Sequence, residues 1–246
     1  MRAPLPQMTY LERCARAQEK AELLLKFLGS GEVFTTAEVA AALLQIDRRR
    51  ATACLKNLEA QGAVKSESHY VNARKIIIWG ITPHGLALAD CYGGQFFELS
   101  RTNSSWINHR LDIQRMRIKA TMQGWTEWTT ERNLRLQKLK KIPDALATNL
   151  DKNLIAVEIE RFAKTPKRYG ELIVTYLQEI KIGKYAEVHF VSPPGIEKLI
   201  KNSFAKIKTV KIAGETVKLE SKHFSRFKFF NFNQWPEVTN GKPANE

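Results

Sequence analysis

Residues 154–162 read LIAVEIERF, an apolar run interrupted by glutamates at 158 and 160. So apolar a run, bounded by turn residues, reads as a strand buried on both faces. Side chains alternate across a strand, which puts Glu158 and Glu160 on one face. A buried carboxylate without a partner is costly, so any fold must supply these acids with company. The preceding residues, IPDALATNL, read as a second strand, and DKN between the two is a tight turn. A hairpin of that kind brings Asp144 to the face that carries the glutamates. Three carboxylates converging there repel one another unless a cation lies between them. Their oxygen chemistry suits a hard divalent ion, Mg²⁺ or Mn²⁺. Such an ion neutralises charge on a phosphate and activates a water for attack on phosphorus. Ion pairs with Arg132, Arg135 or Arg161 are the structural alternative.

The neighbouring segments set this hairpin in a longer order. SWINHRLDIQRMRIKATMQ has helical periodicity, and TEWTTERNLR alternates as a strand does. After the hairpin come a helix, TPKRYGELIVTYLQEIKIG, a strand, YAEVHFVSP, and another helix, PGIEKLIKNSFAKI. The order is α-β-β-β-α-β. Further on, a hairpin is expected around AGE. HFSRFKFFNFNQW interleaves Phe with Arg and Lys, a mixture that stacks on unpaired bases in some proteins. The reading favoured here is an edge strand whose Phe residues complete the core. NGKPANE is expected to be disordered.

The first ninety residues have a different rhythm. Thr9 with Glu12, and Thr35 with Glu38, are capping-box pairs that open two helices. EVF between those helices reads as a short strand. Asp47 caps a third helix that ends at Gly62. Two strand-like runs follow, AVKSES and KIIIWGI, and then a helix capped by Thr82 with Pro83 at its first position. Helix, strand, helix, helix, hairpin, helix is the order of a winged helix. In such a fold the helix after the turn enters the DNA major groove by its N-terminal residues. That role falls to Arg48, Arg49 and Arg50. Lys56 and the wing residues Lys65, Arg74 and Lys75 are then placed for phosphates. DCYGGQFFELSRTNSS is read as a linker. The expected domains are 1–95, a winged helix, and 96–246, the α-β-β-β-α-β domain, which makes the chain α+β or α/β overall.

Charge narrows the class of partner. Among 246 residues, 39 Lys+Arg face 25 Asp+Glu, a net charge of +14 that favours a polyanion. No apolar run is long enough to span a bilayer, so membrane insertion is not expected. The N-terminus lacks the apolar core of a signal peptide. Cys14, Cys54 and Cys91 are far apart and odd in number, as in a reduced, cytoplasmic protein. His69, His84, His109, His189 and His223 are scattered, which argues against a histidine-held metal.

These motifs resemble the PD-(D/E)xK nuclease superfamily, which has the restriction-endonuclease-like fold. Pro143-Asp144 matches its first element and Glu158 its second, while Glu160 stands where the superfamily has lysine. Over residues 10–200 the chain resembles a narrower group, the MobC-type plasmid mobilisation relaxases and replication-relaxation proteins. WTTERNLR, KIPDALA, IAVEIERFAKT and KRYGELIVTYL carry that resemblance. It implies site- and strand-specific nicking of double-stranded plasmid DNA at a transfer origin, with a type IV coupling protein and secretion machine as partners. It also implies that Glu131 joins the acidic site. On this reading Asp144, Glu158, Glu160 and Glu131 hold the metal, and Glu160 serves as ligand or general base. Lys164, or else Lys167, supplies the missing positive charge, and Arg168 and Tyr169 meet the DNA backbone. The competing reading is a non-catalytic DNA-binding regulator of plasmid replication or transcription, with a decayed nuclease domain.

Overall fold

The computed structural model describes residues 8–71, 73–98, 104–212 and 214–237. The expected disorder of NGKPANE and part of the expected linker, 99–103, lie outside the described residues. The chain divides into two compact units, Met1–Leu111 and Asp112–Glu246.

The first unit is built from α1 (Tyr10–Phe27), β1 (Phe34–Thr35), α2 (Ala37–Leu44), α3 (Arg48–Ala60), β2 (Val64–Val71), β3 (Arg74–Ile81) and α4 (Pro83–Leu88). Thr9 and Glu12 form the reciprocal capping box at α1. At α2 the cap is Thr36, whose hydroxyl accepts from Val39 N, rather than Thr35, which the sequence suggested. Thr35 is drawn into β1, where it pairs with Trp79 of β3. Asp47 caps α3 through Arg50 N, and Thr82 caps α4 through Gly85 N. β2 and β3 form an antiparallel hairpin, and β1 lies on the other side of β3. The order is that of a winged helix, with β2–β3 as the wing.

In the second unit the order is β4 (Thr126–Thr130), α6 (Glu131–Leu134), β5 (Ala145–Thr148), β6 (Leu154–Ile159), α7 (Pro166–Lys181), β7 (Glu187–Ser192) and α8 (Ile196–Ala205). A small hairpin follows, β8 (Thr209–Ile212) with β9 (Glu215–Lys218), then α9 (Ser221–Phe224) and β10 (Phe227–Asn231). Before all of these runs α5 (Ser104–Met122), whose residues from Asp112 onward belong to this unit.

The main sheet has the order β10-β7-β6-β5-β4. Its β4, β5 and β6 are antiparallel neighbours, whereas β6, β7 and β10 run parallel. TEWTTERNLR is not one strand throughout: it turns helical at Glu131, where Glu131 N bonds Asp144 O at 3.0 Å. β6 is the middle strand, and its alternation defines two cores. Ile155, Val157 and Ile159 face the one that contains Ile113 and Met116 of α5, with Trp125 and Trp235. Ala156 faces the one that contains Tyr169, Ile173 and Tyr176 of α7 and Phe204 of α8. Phe227 is buried and Phe229 packs on that second core, so the C-terminal aromatic segment does serve as an edge strand.

Candidate functional site: an acidic cluster and a basic reader

The hairpin register fixes the cluster. Ala145 pairs with Val157, so Asp144, one residue earlier, stands level with Glu158. Asp144 Oδ2 accepts from Ile159 N at 2.7 Å, which fastens the aspartate across the end of the hairpin. Glu158 and Glu160 are both 5% exposed, at the C-terminal end of the middle strand. Glu160 N bonds Val191 O of β7, so the second glutamate is held by the sheet as well.

Burial, followed by the charge of Asp144, pushes the Glu158 carboxyl up to about 7, against the pull of Lys141 and Tyr176. Glu160 is also raised, chiefly by burial, with Lys164 opposing. Two lysines answer these charges. Lys141 Nζ lies 3.0 Å from Glu158 Oε1 and also reaches Ile142 O at 2.7 Å. Lys164 forms an ion pair with Glu160. The Tyr176 hydroxyl, buried on α7, bonds Glu158. Burial opposes the charge on Lys141, yet Glu158, with Asp144 and Glu160 behind it, outweighs that and raises its pKa.

Lys141 and Tyr176 carry no motif, and sequence reasoning missed both. The only sequence clue to Lys141 is its place in KKIPD. Its position follows from a contact between distant segments: Lys140 N donates to the buried Glu179 of α7 at 2.8 Å.

Other expected site residues fall differently. The Glu131 carboxylate accepts from Arg135 at 2.8 Å, although its backbone adjoins Asp144. Arg161 pairs with Asp112 and not with the acidic strand. Arg168 is exposed at the start of α7 and pairs with Glu171 at 2.9 Å. Tyr169, expected to meet the DNA backbone, lies in the core. Its side chain is fully buried between Phe190 and Phe204. Its hydroxyl accepts from Lys164 N at 3.0 Å, so it braces the chain beside Glu160. Burial pushes its pKa up to about 12, which keeps the phenol neutral. Lys167 is exposed.

The donor set suits a hard divalent cation, because every group in it is a carboxylate, and burial makes an added positive charge favourable. Among the described residues, however, no group of three or more His, Cys, Asp or Glu side chains is arranged to hold a metal ion. The lysine ammonium groups provide the positive charge in this arrangement.

On the first unit, α3 presents its N-terminus to solvent. Arg48, Arg49, Arg50 and Lys56 are all exposed. Arg48 pairs with Glu38 at 3.0 Å and Arg50 with its own cap Asp47 at 3.3 Å, both on the surface. Surface pairs of this kind are weak, so either arginine exchanges its partner for a phosphate at little cost. Arg74 and Lys75 are exposed at the start of β3, on the wing. Lys65 lies lower on the wing, paired with Glu67 and over the ring of Phe97.

These two arrangements, a winged helix with a basic helix end and a mixed sheet with acids on its middle strand, define the class of chain. The replication-relaxation family matches residues 25–191, and the chain belongs to that family. No curated protein matches it significantly. Among solved structures it is similar to a double mutant of Lactococcus lactis ZitR in apo form, with 22% identity and a TM-score of 0.26. That likeness covers 32% of this chain and 58% of ZitR. It is also similar to a mutant MepR from a multidrug-resistant S. aureus clinical isolate, with 18% identity and a TM-score of 0.28, over 48% of this chain and 96% of MepR. The winged-helix assignment rests on the element order and pairing given above. Among the described residues no helix is long and apolar enough to cross a membrane.

Proposed function

We propose that the chain is a plasmid mobilisation relaxase of the MobC type, with a PD-(D/E)xK nuclease-like second unit. It nicks one strand of double-stranded plasmid DNA at a transfer origin, in the cytoplasm, ahead of hand-over to a type IV coupling protein. The observation that carries the reading is the buried acidic cluster at the end of β6, with Asp144 level with Glu158 and Glu160 two residues on. Stability alone gives no reason to bury two carboxylates beside a third. Asp144, Glu158 and Glu160 would hold Mg²⁺ or Mn²⁺, with Glu131 a further ligand if it leaves Arg135. When bound, the ion supplies charge neutralisation at phosphorus and an activated water. Glu160 accepts the proton of the attacking group, Lys164 and Lys141 balance charge, and Arg168 contacts the backbone. Arg48, Arg49 and Arg50 read the duplex, while Lys56, Lys65, Arg74 and Lys75 hold phosphates.

One observation favours a second reading. Glu158 and Glu160 are already paired with Lys141 and Lys164, as expected of a regulator that binds DNA without cutting it. Supercoiled plasmid bearing the transfer region separates the two. On the first reading, purified protein converts it to the open circle only with Mg²⁺ or Mn²⁺. Glu158→Ala then abolishes conversion while duplex binding persists. Conversion at the wild-type rate by Glu158→Ala would leave the acids as structure only, and no conversion by wild type with either ion would favour the regulator.

A further inference from the structure

At the far edge of the main sheet lies a groove that neither the acidic cluster nor the reading helix uses. It has a volume of about 640 Å³, within the range of ligand sites. It wraps the free edge of β10: Phe204, Phe224, Phe227 and Phe229 form an aromatic floor on one face of the sheet, and Phe230 with Lys228 lines it from the other. Phe204 and Phe227 are buried, whereas Phe224, Phe229 and Phe230 keep part of their surface exposed. Lys201, Lys208 and Lys228 stand along it, all exposed. Among the described residues none of the three makes an ion pair, and Glu237 is the one acid in the lining. β10 is the outer strand of its sheet, so the groove is open along its length.

We propose that this groove binds single-stranded nucleic acid. Every base has a π-face, so half-exposed rings accept bases without regard to sequence. Lys201 and Lys208, with Lys228 beside Glu187 and Glu237, leave an excess of positive charge that suits a phosphate chain. A peptide added to the strand edge would gain main-chain bonds from β10 but would leave the lysines unanswered. The charge balance therefore selects the polyanion. The site is independent of nicking: it serves a strand freed by this protein or by another.

The test uses the full chain and fluorescein-labelled oligothymidylate, read by anisotropy, with a labelled duplex as control. Wild type is expected to bind the oligomer. Lys201→Gln, Lys208→Gln and Lys228→Gln combined should weaken that binding at least tenfold and lower the salt slope by about 2, at roughly 0.7 per contact. Duplex binding should be unchanged. Phe224→Ala should weaken oligomer binding several-fold without changing the salt slope. A photo-crosslinking oligomer carrying iododeoxyuridine should label residues 224–230. Circular dichroism checks that each variant is folded, and the crosslink tests the site with no substitution at all. Failure of wild type to bind the oligomer would overturn the proposal. So would crosslinks confined to other residues, or oligomer binding lost in Arg48→Ala with Arg49→Ala yet intact in the triple variant.

Discussion

Lys141 sits where the incoming cation of the proposed reaction would go, 3.0 Å from the carboxylate that burial raises to about 7. An ammonium there competes with a divalent ion. Lys141→Met should therefore tighten Mn²⁺ binding by roughly tenfold, equivalent to about 1.4 kcal/mol. It should also slow nicking at saturating metal, because the balancing charge is lost. Calorimetric titration reads the first effect, and unchanged affinity would remove Lys141 from that role. His189 allows a test outside the acidic site. Its ring is buried, accepts from Trp235 Nε1 at 3.1 Å and lies 3.4 Å from Glu187. Burial lowers its pKa below the ordinary histidine value, with Glu187 opposing. The unfolded chain thus binds this proton more readily than the folded one. The neutral ring's contribution to stability is complete above about pH 6.5 and is lost as pH falls below it, by at most about 1.4 kcal/mol per pH unit. Urea melts from pH 7.5 to 5.5 should show a shallower loss in His189→Gln than in wild type, and equal slopes would contradict the assignment.

Among the elements, those whose ends are written locally were legible in the sequence. Thr9, Asp47 and Thr82 cap the helices they were read to cap, because a cap needs only residues within one turn. Thr36 displaced Thr35 because pairing with β3 claims the latter, and pairing between distant segments leaves no local mark. α6 was hidden for the same reason: the bond from Glu131 N to Asp144 O, where β4 ends, joins segments that are apart in the sequence. The acidic strand was legible because two charges in an apolar run have no bland local cause, whereas Lys141 and Tyr176 arrive through tertiary contacts. Two predictions belong at this scale. A Cβ on Gly80 of β3 would lie 2.1 Å from the Phe97 ring, so Gly80→Ala should destabilise the protein by about 1–3 kcal/mol, read by thermal melting. Lys56→Gln with Arg74→Gln should weaken duplex binding and lower its salt slope by about 2, at roughly 0.9 per phosphate contact. An unchanged slope would place α3 and the wing away from the DNA backbone.

For the molecule as a whole, the sequence order α-β-β-β-α-β was recoverable, but the final pairing was not. β10 lies parallel to β7, across a connection that contains a helix, a hairpin and a further short helix, and no local signal sets that neighbour. Stability at this scale bears on the acidic cluster too. Glu158 and Lys141 hold each other in a largely buried place, and replacing such a pair with apolar groups of similar volume is often stabilising by about 1–4 kcal/mol. Glu158→Met together with Lys141→Met should raise the urea midpoint while abolishing the proposed nicking. A lowered midpoint would show that the pair is structural. Because neighbours on both sides hold β6, the strand would keep its place without its acids. Mutational drift would then run one way. A lineage no longer selected for the chemistry would lose Glu158 and Lys141 together, and it would survive as a sturdier, silent relative with the same outline.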